Sequence, residues 1–174
     1  YTESIMDNIT TSQQAQRRAK QIEVDARMRN VAASIQEKFG YSAPMLSGIL
    51  GNIHVETGNT FDYKQKQNKG PGEGLFQFDF HKPNYKKYLK RKQLQDSVDS
   101  QVGYVYDSIY GDEQKHLGYG NAENLRELFA KSTDPIEISD GFEKIFLRPN
   151  EKKSHSDRRR EASRMYSLAF TPAQ

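Results

Sequence analysis

The sequence has no cysteine and no apolar run near the about 20 residues that a membrane-spanning helix requires. The absence of cysteine excludes disulfide bonds and metal sites with thiolate ligands, although it leaves the redox compartment open. The absence of a long apolar run argues against a membrane span. The first residues also lack the pattern of a secretory signal peptide.

The chain is also poor in apolar residues and in net charge. Hydrophobic residues make up 34% and charged residues 28% of the sequence, which predicts a small core supplemented by ten tyrosines and nine phenylalanines. The 26 basic and 23 acidic residues leave a net charge of +3. This charge is too small to indicate nucleic acid as a partner, and we do not expect one.

The N-terminal part of the chain predicts one long helix after a polar segment. Residues 1–13 lack an apolar pattern, so we predict a lead-in or linker there and a single domain over 14–174. The chain begins with Tyr1 rather than methionine, so we expect an excised domain or a processed chain. Residues 14–39 predict a helix that stops at Gly40, with an apolar stripe of Val24, Met28, Val31 and Ile35.

The chain after Pro83 also has helical periodicity, and it contains two predicted helix starts. Asn121 is one predicted cap, and Asp134 followed by Pro135 is another. A last helix is predicted from about Ser156. The longest apolar stripe consists of Leu94, Val98, Val102, Val105 and Ile109.

A different period separates the second helix from these later helices. Phenylalanines alternate with other residues over 74–80, which is typical of a strand, and a turn sequence, Lys69-Gly70-Pro71-Gly72, precedes them. We therefore predict a mainly α (α+β) fold, a helical domain with one small β-hairpin.

One acidic residue continues the apolar face of the second helix. That helix is predicted from a Ser42 cap, with Pro44 in its first turn, to about Thr57. Glu56 follows the apolar stripe in the last turn, where both burial and the helix dipole should raise its pKa. A carboxyl group with a raised pKa suits a general acid. Two alternatives are a solvent-exposed Glu56 without a role and an ion pair with a lysine or arginine. The stripe is Leu46, Ile49, Ile53 and Glu56, and Gly48 and Gly51 would allow close helix packing.

The segment from Gly51 to Gly58, GNIHVETG, followed by GLFQF from Gly74, resembles the phage tail lysozyme family. That family has a G-N-x-x-x-E-S-G helix end and a G-[aliphatic]-x-Q-[aromatic] strand. It is related to goose-type lysozymes and soluble lytic transglycosylases. Downstream, QVGYVYD from Gln101, FEKIFLRP from Phe142 and the segment 158–162 resemble further family motifs, so the likeness covers about residues 42–169.

Three positions depart from the family pattern. Thr57 stands where serine is usual, and Phe78 stands where tryptophan is usual. Leu147 replaces the acid before Arg-Pro, which would remove an ion pair if the family forms one there. Glu56 is retained, so the expected activity is unaffected.

The resemblance implies a lysozyme-like fold and the residues of a sugar-cleaving site. It implies that Glu56 is the general acid and that Gln77 binds substrate. For a second catalytic carboxylate the candidates are Glu73, which we include in the predicted site, Asp79 and Asp62. Further predicted substrate-binding or supporting residues are Asn52, Phe78 and Tyr104, although a core position for Tyr104 is the alternative.

The implied function is a muramidase that cuts the β-1,4 bond between N-acetylmuramic acid and N-acetylglucosamine. Its expected setting is a phage tail or ejected protein of a virion, acting at the host cell wall or periplasm during infection. The alternatives are a lytic transglycosylase on the same bond and a non-catalytic peptidoglycan-binding module. We expect no cofactor and no metal, since His54, Glu56 and His81 lack a helical metal-binding pattern. The basic runs at 86–92 and 158–160 are interpreted as solvated.

Overall fold

The structure, a computed structural model, describes residues 2–150 and 154–171, with side chains from residue 10 onward. Helices form most of this part of the chain, which confirms the mainly α fold class. The elements are α1 (Thr2–Phe39), α2 (Ala43–Glu56), α3 (Lys82–Lys92), α4 (Val98–Tyr110), α5 (Gln114–Leu117), α6 (Tyr119–Lys131), α7 (Pro135–Phe142), a π-helical turn (Glu143–Leu147) and α8 (Ser156–Phe170). No helix among the described residues is both long and apolar enough to cross a bilayer.

Helix α2 lies at the centre of the core, and glycines allow its neighbours to approach closely. A Cβ atom at Gly48 would lie 2.7 Å from the Cγ2 atom of Ile138 on α7. A Cβ atom at Gly51 would collide with the side chain of Ser163 on α8 and lie 2.7 Å from its backbone nitrogen. The glycine-spaced face of α2 is therefore the face on which α7 and α8 pack, as the sequence predicts.

Several predicted helix ends are confirmed. Gly40 follows α1 with a φ of 80°, a left-handed conformation that favours glycine. The Ser42 hydroxyl accepts a hydrogen bond from the backbone N–H of Met45 at 3.4 Å, so Ser42 caps α2. Asp134 likewise caps α7, because its carboxylate accepts from the N–H of Ile136 at 2.9 Å.

Other predicted boundaries are wrong. Helix α1 begins at Thr2, so residues 2–13 belong to a helix rather than to an irregular segment. The division into a lead-in and a domain stays a prediction, and Tyr1 lies outside the described residues. Leu94 lies between α3 and α4 and is 42% exposed. Asn121 lies inside α6, where its side chain donates to the Leu117 carbonyl at 2.9 Å instead of capping the helix.

The predicted hairpin is reduced to two isolated antiparallel bridges, Lys66 with Glu73 and Glu73 with Phe78. The described residues contain no continuous strand, so the strand predicted over 74–80 is wrong. Gly74 and Gln77 both have positive φ values, 89° and 48°, and they bend the chain into a turn. The amide of Gln101 on α4 takes the place of a strand partner, because its oxygen accepts from the N–H of Leu75 at 2.9 Å.

Candidate active site

A cleft of about 550 Å³ opens where α2 ends. One wall comes from α2 and α8, the second from the loop over 67–81, and residues 147–150 with His155 complete the rim. The lining contains an ionisable or hydrogen-bonding group from each side, among them Glu56, Gln77, Asp79, His81, Arg148 and Arg159.

Glu56 is the last residue of α2, and Thr57 fixes the helix end beneath it. The backbone N–H and the hydroxyl of Thr57 both donate to the Ile53 carbonyl, at 2.9 and 2.8 Å. The Thr57 hydroxyl also accepts from the N–H of Phe61 at 3.1 Å, which ties the following loop to the helix. The Glu56 side chain is 14% exposed, so its carboxyl group is held at the cleft wall with limited contact with water.

The Glu56 carboxylate is paired with a buried arginine. Arg159 Nη2 lies 2.8 Å from Glu56 Oε1, and the Arg159 side chain is 2% exposed. Arg159 Nη1 donates to Asn52 Oδ1 at 3.0 Å, and Nε donates to the Ser154 carbonyl at 2.5 Å. These contacts fix the guanidinium in one orientation against Glu56.

A second buried carboxylate lies near Arg159. Glu143 Oε1 is 3.9 Å from Arg159 Nε, and the Glu143 side chain is 4% exposed. The Ser156 hydroxyl lies 2.6 and 3.0 Å from the two carboxylate oxygens of Glu143 and donates to them. The buried cluster of Glu56, Arg159 and Glu143 therefore contains two acids and one base.

The pKa of Glu56 is raised above its ordinary value. Burial is the largest cause, since it penalises the charged form, and the negative charge of Glu143 adds to it. The charge and hydrogen bond of Arg159 act in the opposite direction but do not outweigh burial. The raised pKa agrees with the sequence-based prediction for Glu56. The ion pair with an arginine, which the sequence analysis gave as an alternative, is formed as well.

Gln77 lines the loop wall of the cleft, with its amide nitrogen engaged by the loop itself. Its Nε2 donates to the carbonyls of Gln65 and Gly74, at 2.9 and 2.7 Å. These two hydrogen bonds stabilise the turn in which Gln77 adopts its positive φ. Its amide oxygen accepts no hydrogen bond from the described residues, so this atom is available to a ligand donor.

His81 lines the cleft as a neutral side chain. Burial lowers its pKa to about 4, with a further contribution from the Arg148 charge, while its hydrogen bond to the Phe146 carbonyl acts the other way. That bond joins Nε2 to the carbonyl oxygen at 2.8 Å, and the imidazole stacks on the Phe146 ring at 4.4 Å between centroids. His81 is therefore a hydrogen-bonding group of the wall rather than a cation at neutral pH.

The structure does not bring four of the predicted site residues to the cleft. Glu73 is 48% exposed and paired with Lys82 at 2.8 Å, which lowers the pKa of Glu73. Phe78 and Tyr104 are buried in the core with their rings 5.5 Å apart, so direct substrate contact is not possible in this arrangement. Asn52 is fully buried and contacts Arg159 rather than the cleft.

The two remaining carboxylate candidates lie in different places. Asp79 is exposed and lines the cleft. Asp62 does not line it, and its carboxylate accepts from the N–H of Lys64 at 2.9 Å.

Sequence reasoning missed Arg159, Glu143 and His81. The interpretation of 158–160 as a solvated run is wrong for Arg159, and Arg160 is paired with Asp140 at 2.8 Å. The helical spacing could have indicated that Arg159 is buried. It lies three, four and seven residues before the other buried residues of α8, which are Ala162, Ser163 and Tyr166. The other basic run is also partly paired, since Arg91 contacts Glu113 and Lys92 lies 3.3 Å from Asp107.

In the part of the chain that the structure describes, no three histidine or acidic side chains are placed to hold a metal ion. Comparisons with known proteins gave one finding. A family model described as phage tail lysozyme matches residues 26–169, which include the cleft, α2 and α8. Searches of curated proteins and of solved structures returned no match. The chain therefore belongs to the phage tail lysozyme family and is a lysozyme-like, peptidoglycan-acting phage module.

Proposed function

We propose that this domain is a muramidase that cleaves the β-1,4 bond between N-acetylmuramic acid and N-acetylglucosamine. Glu56 is its general acid and donates a proton to the glycosidic oxygen as the bond breaks. The observation that carries the proposal is the position of Glu56. It is a carboxyl group at the wall of an open cleft, and burial raises its pKa. A general acid needs access to substrate together with a bound proton near neutral pH.

The remaining residues of the cleft suit a glycan strand. The Gln77 amide oxygen can accept from a sugar hydroxyl or an acetamido N–H, and the exposed Phe80 ring offers an apolar face. The buried His81 ring packs against the Phe80 ring, with centroids 3.9 Å apart, and supports that apolar face. Together these groups would orient one sugar ring while Glu56 acts on the bond beside it.

Hydrolysis also requires a group that assists the attacking water. Asp79 is the better candidate for this role, because it lines the cleft on the wall opposite α2. Glu73 is a weaker one, since it is outside the lining and neutralised by Lys82.

A lytic transglycosylase is the second candidate function. In that reaction the C6 hydroxyl of N-acetylmuramic acid attacks its own anomeric carbon, so no second carboxylate has to activate water. The observation that favours it is that Glu56 is the one carboxyl-bearing residue among the described lining residues that is not exposed.

Mass spectrometry of the fragments released from purified peptidoglycan would test both candidates. Fragments with a reducing N-acetylmuramic acid end would support the muramidase, and Asp79→Asn should then strongly slow their release. Fragments with 1,6-anhydro-N-acetylmuramic acid would support the transglycosylase, and Asp79→Asn should then have little effect. Glu56→Gln should reduce either product by about 100-fold or more, because general acid catalysis contributes factors of that size.

Two outcomes would contradict the proposal. Glycan cleavage by Glu56→Gln at the wild-type rate would remove Glu56 from the reaction. Sedimentation of the domain with peptidoglycan, without any cleavage, would instead support a non-catalytic binding module.

We further propose that the domain acts as part of a tail or ejected protein of the virion, at the host cell wall or periplasm during genome delivery. Membership of the phage tail lysozyme family supports this setting. Peptide mass spectrometry of purified, nuclease-treated virions tests it. Recovery of peptides from this chain in stoichiometric amounts is expected, and their confinement to the lysate would contradict it.

A further inference from the structure

We propose that Glu143 is a positioning residue that keeps the catalytic proton on Glu56 by sharing Arg159 with it. The inference rests on the proposed role of Glu56 as general acid. It explains why a buried guanidinium 2.8 Å from Glu56 does not hold that group permanently ionised. A lone buried pair of Glu56 with Arg159 would strongly favour the carboxylate form.

The charge balance of the buried cluster favours one bound proton. With both acids ionised, Glu56, Arg159 and Glu143 carry a net charge of −1 in a region where their side chains are 14%, 2% and 4% exposed. Uptake of one proton makes the cluster neutral, and burial favours that neutral state. The favoured state of the cluster therefore has one proton shared between its two carboxyl groups.

The Ser156 hydroxyl on Glu143 and the access of Glu56 to the cleft place the proton on Glu56, against the hydrogen bond that Glu56 accepts from Arg159. Glu143 accepts from the Ser156 hydroxyl through both of its oxygens, and donors of this kind favour the anionic form. Arg159 Nη2 is paired with Glu56 at 2.8 Å, while Nε donates to the Ser154 carbonyl and lies 3.9 Å from Glu143 Oε1. Protonation of Glu56 therefore leaves the guanidinium with a nearby carboxylate as counter-ion, although not as a hydrogen-bond partner. Glu56 is also the member that reaches the cleft, where a proton can be exchanged with solvent and delivered to substrate.

Neighbouring charges on the packed helices do not replace this arrangement. On α8, Arg160 is paired with Asp140 of α7 at 2.8 Å and with Asp157 at 3.4 Å, and Arg158 is exposed. On α2, His54 is hydrogen-bonded to the Tyr166 hydroxyl at 2.9 Å, and burial lowers its pKa.

The ionisable groups on the cleft side are either uncharged at neutral pH or exposed to water. Burial lowers the pKa of His81 to about 4, so it carries no charge at neutral pH. The other ionisable lining residues, Lys69, Asp79, Arg148 and His155, are exposed, and solvent screens their effect on Glu56.

The test is the pH dependence of peptidoglycan cleavage by the full chain, measured from about pH 5 to about pH 9 at constant ionic strength. A general acid must be protonated, so activity falls on the alkaline side as pH rises through the pKa of Glu56. Glu143→Gln removes the second negative charge and leaves Arg159 to Glu56 alone. We expect the alkaline limb to move to lower pH by about one unit, while the rate on the acidic plateau is retained.

Two further variants isolate the charge of Glu143. Glu143→Asp keeps the negative charge and should keep the wild-type alkaline limb. Glu137→Gln is the matched control, because Glu137 is an exposed residue of α7 outside the cluster, and its profile should coincide with that of wild type.

A Glu143→Gln profile that coincides with that of wild type would overturn the inference. If circular dichroism shows that this variant does not fold, Ser156→Ala takes its place. Loss of the hydroxyl donor weakens the stabilisation of the negative charge on Glu143, so the alkaline limb should again move to lower pH, by a smaller amount. An unchanged limb would overturn the inference.

Glu56→Gln in the same assay distinguishes failure of the Glu143 role from failure of the general acid. An inactive Glu56→Gln with an unshifted Glu143→Gln would overturn the role of Glu143 and leave the proposed function standing. An active Glu56→Gln would overturn the general acid itself, and the role of Glu143 with it.

Discussion

The wall of the cleft that α2 and α8 form differs from the wall that the loop over 67–81 forms. On the helical wall, Glu56 and Arg159 are fixed by contacts between buried side chains of different helices. On the loop wall, Gln77 is fixed by hydrogen bonds to the backbone of its own loop, and Asp79 is exposed. The helical wall therefore contains buried charged groups, whereas the loop wall presents polar groups that are accessible to water.

This difference assigns different tasks to the two walls. Burial between packed helices changes the pKa of Glu56, so the helical wall can supply proton chemistry. The loop wall presents accessible hydrogen-bonding groups on a backbone that is tied down at Gln65 and Gly74, which suits recognition of a sugar. Substitutions should therefore have their largest effects on stability at the helical wall and smaller effects at the loop wall.

Removal of Arg159 should have the largest effect on stability. Arg159→Leu leaves Glu56 and Glu143 buried without a counter-ion, and loss of one partner from a buried ion pair costs about 3–5 kcal/mol. Burial already raises the pKa of Glu56, and without Arg159 this group binds its proton still more tightly in the folded state than in the unfolded state. The folded state of the variant is consequently favoured at low pH and loses stability as pH rises, so the deficit should be larger at about pH 8 than at about pH 5.

Urea denaturation at the two pH values measures this effect, with Arg158→Leu as the control. Arg158 is the preceding residue of α8 and is exposed, so its replacement should change stability very little. Equal stability of the two variants would mean that the charge cluster makes no net contribution to the fold.

A smaller effect is expected from Gln77→Ala on the loop wall. This substitution removes the donor to the carbonyls of Gln65 and Gly74, and loss of such contacts costs about 1–2 kcal/mol. It also removes the amide oxygen that we assign to substrate, so the apparent KM for peptidoglycan should rise. Gln95→Ala, at an exposed position outside the cleft, serves as the control. An unchanged KM would argue against substrate binding by Gln77.

The smallest effect is expected from Glu73→Gln, because Glu73 belongs to the loop over 67–81 but does not line the cleft. Its ion pair with Lys82 is solvent-exposed and screened, so the change in unfolding free energy should be below about 0.5 kcal/mol. The pKa of Glu73 is lowered by Lys82, so any stabilisation exists above the ordinary pKa of a glutamate and disappears as pH falls through the lowered value. Urea denaturation and the clearing rate of a peptidoglycan suspension measure the two effects. A large loss of clearing rate would restore Glu73 as the second catalytic group.

Local patterns predicted those parts of the molecule that depend on neighbouring residues in sequence. The caps at Ser42 and Asp134 are confirmed, because a cap is formed within one helical turn. The segment over 74–80 was predicted incorrectly, because its conformation depends on Gln101 of α4, a residue distant in sequence. Phe78 was assigned to the substrate, whereas packing against the other aromatic residues buries it. Tyr104 is buried as well, which is the core position that the sequence analysis gave as its alternative.

The sequence by itself determined the helical character of the chain, the apolar face of α2 and the position of Glu56 at its end, since these follow from a period of 3.6 residues and from end signals. Tertiary structure decided the surroundings of Glu56. Arg159 and Glu143 are separated from it by 103 and 87 residues, and only the packing of α7, the π-helical turn and α8 against α2 brings their charges together. Electrostatic interactions depend on distance in space and on burial, neither of which a linear pattern contains.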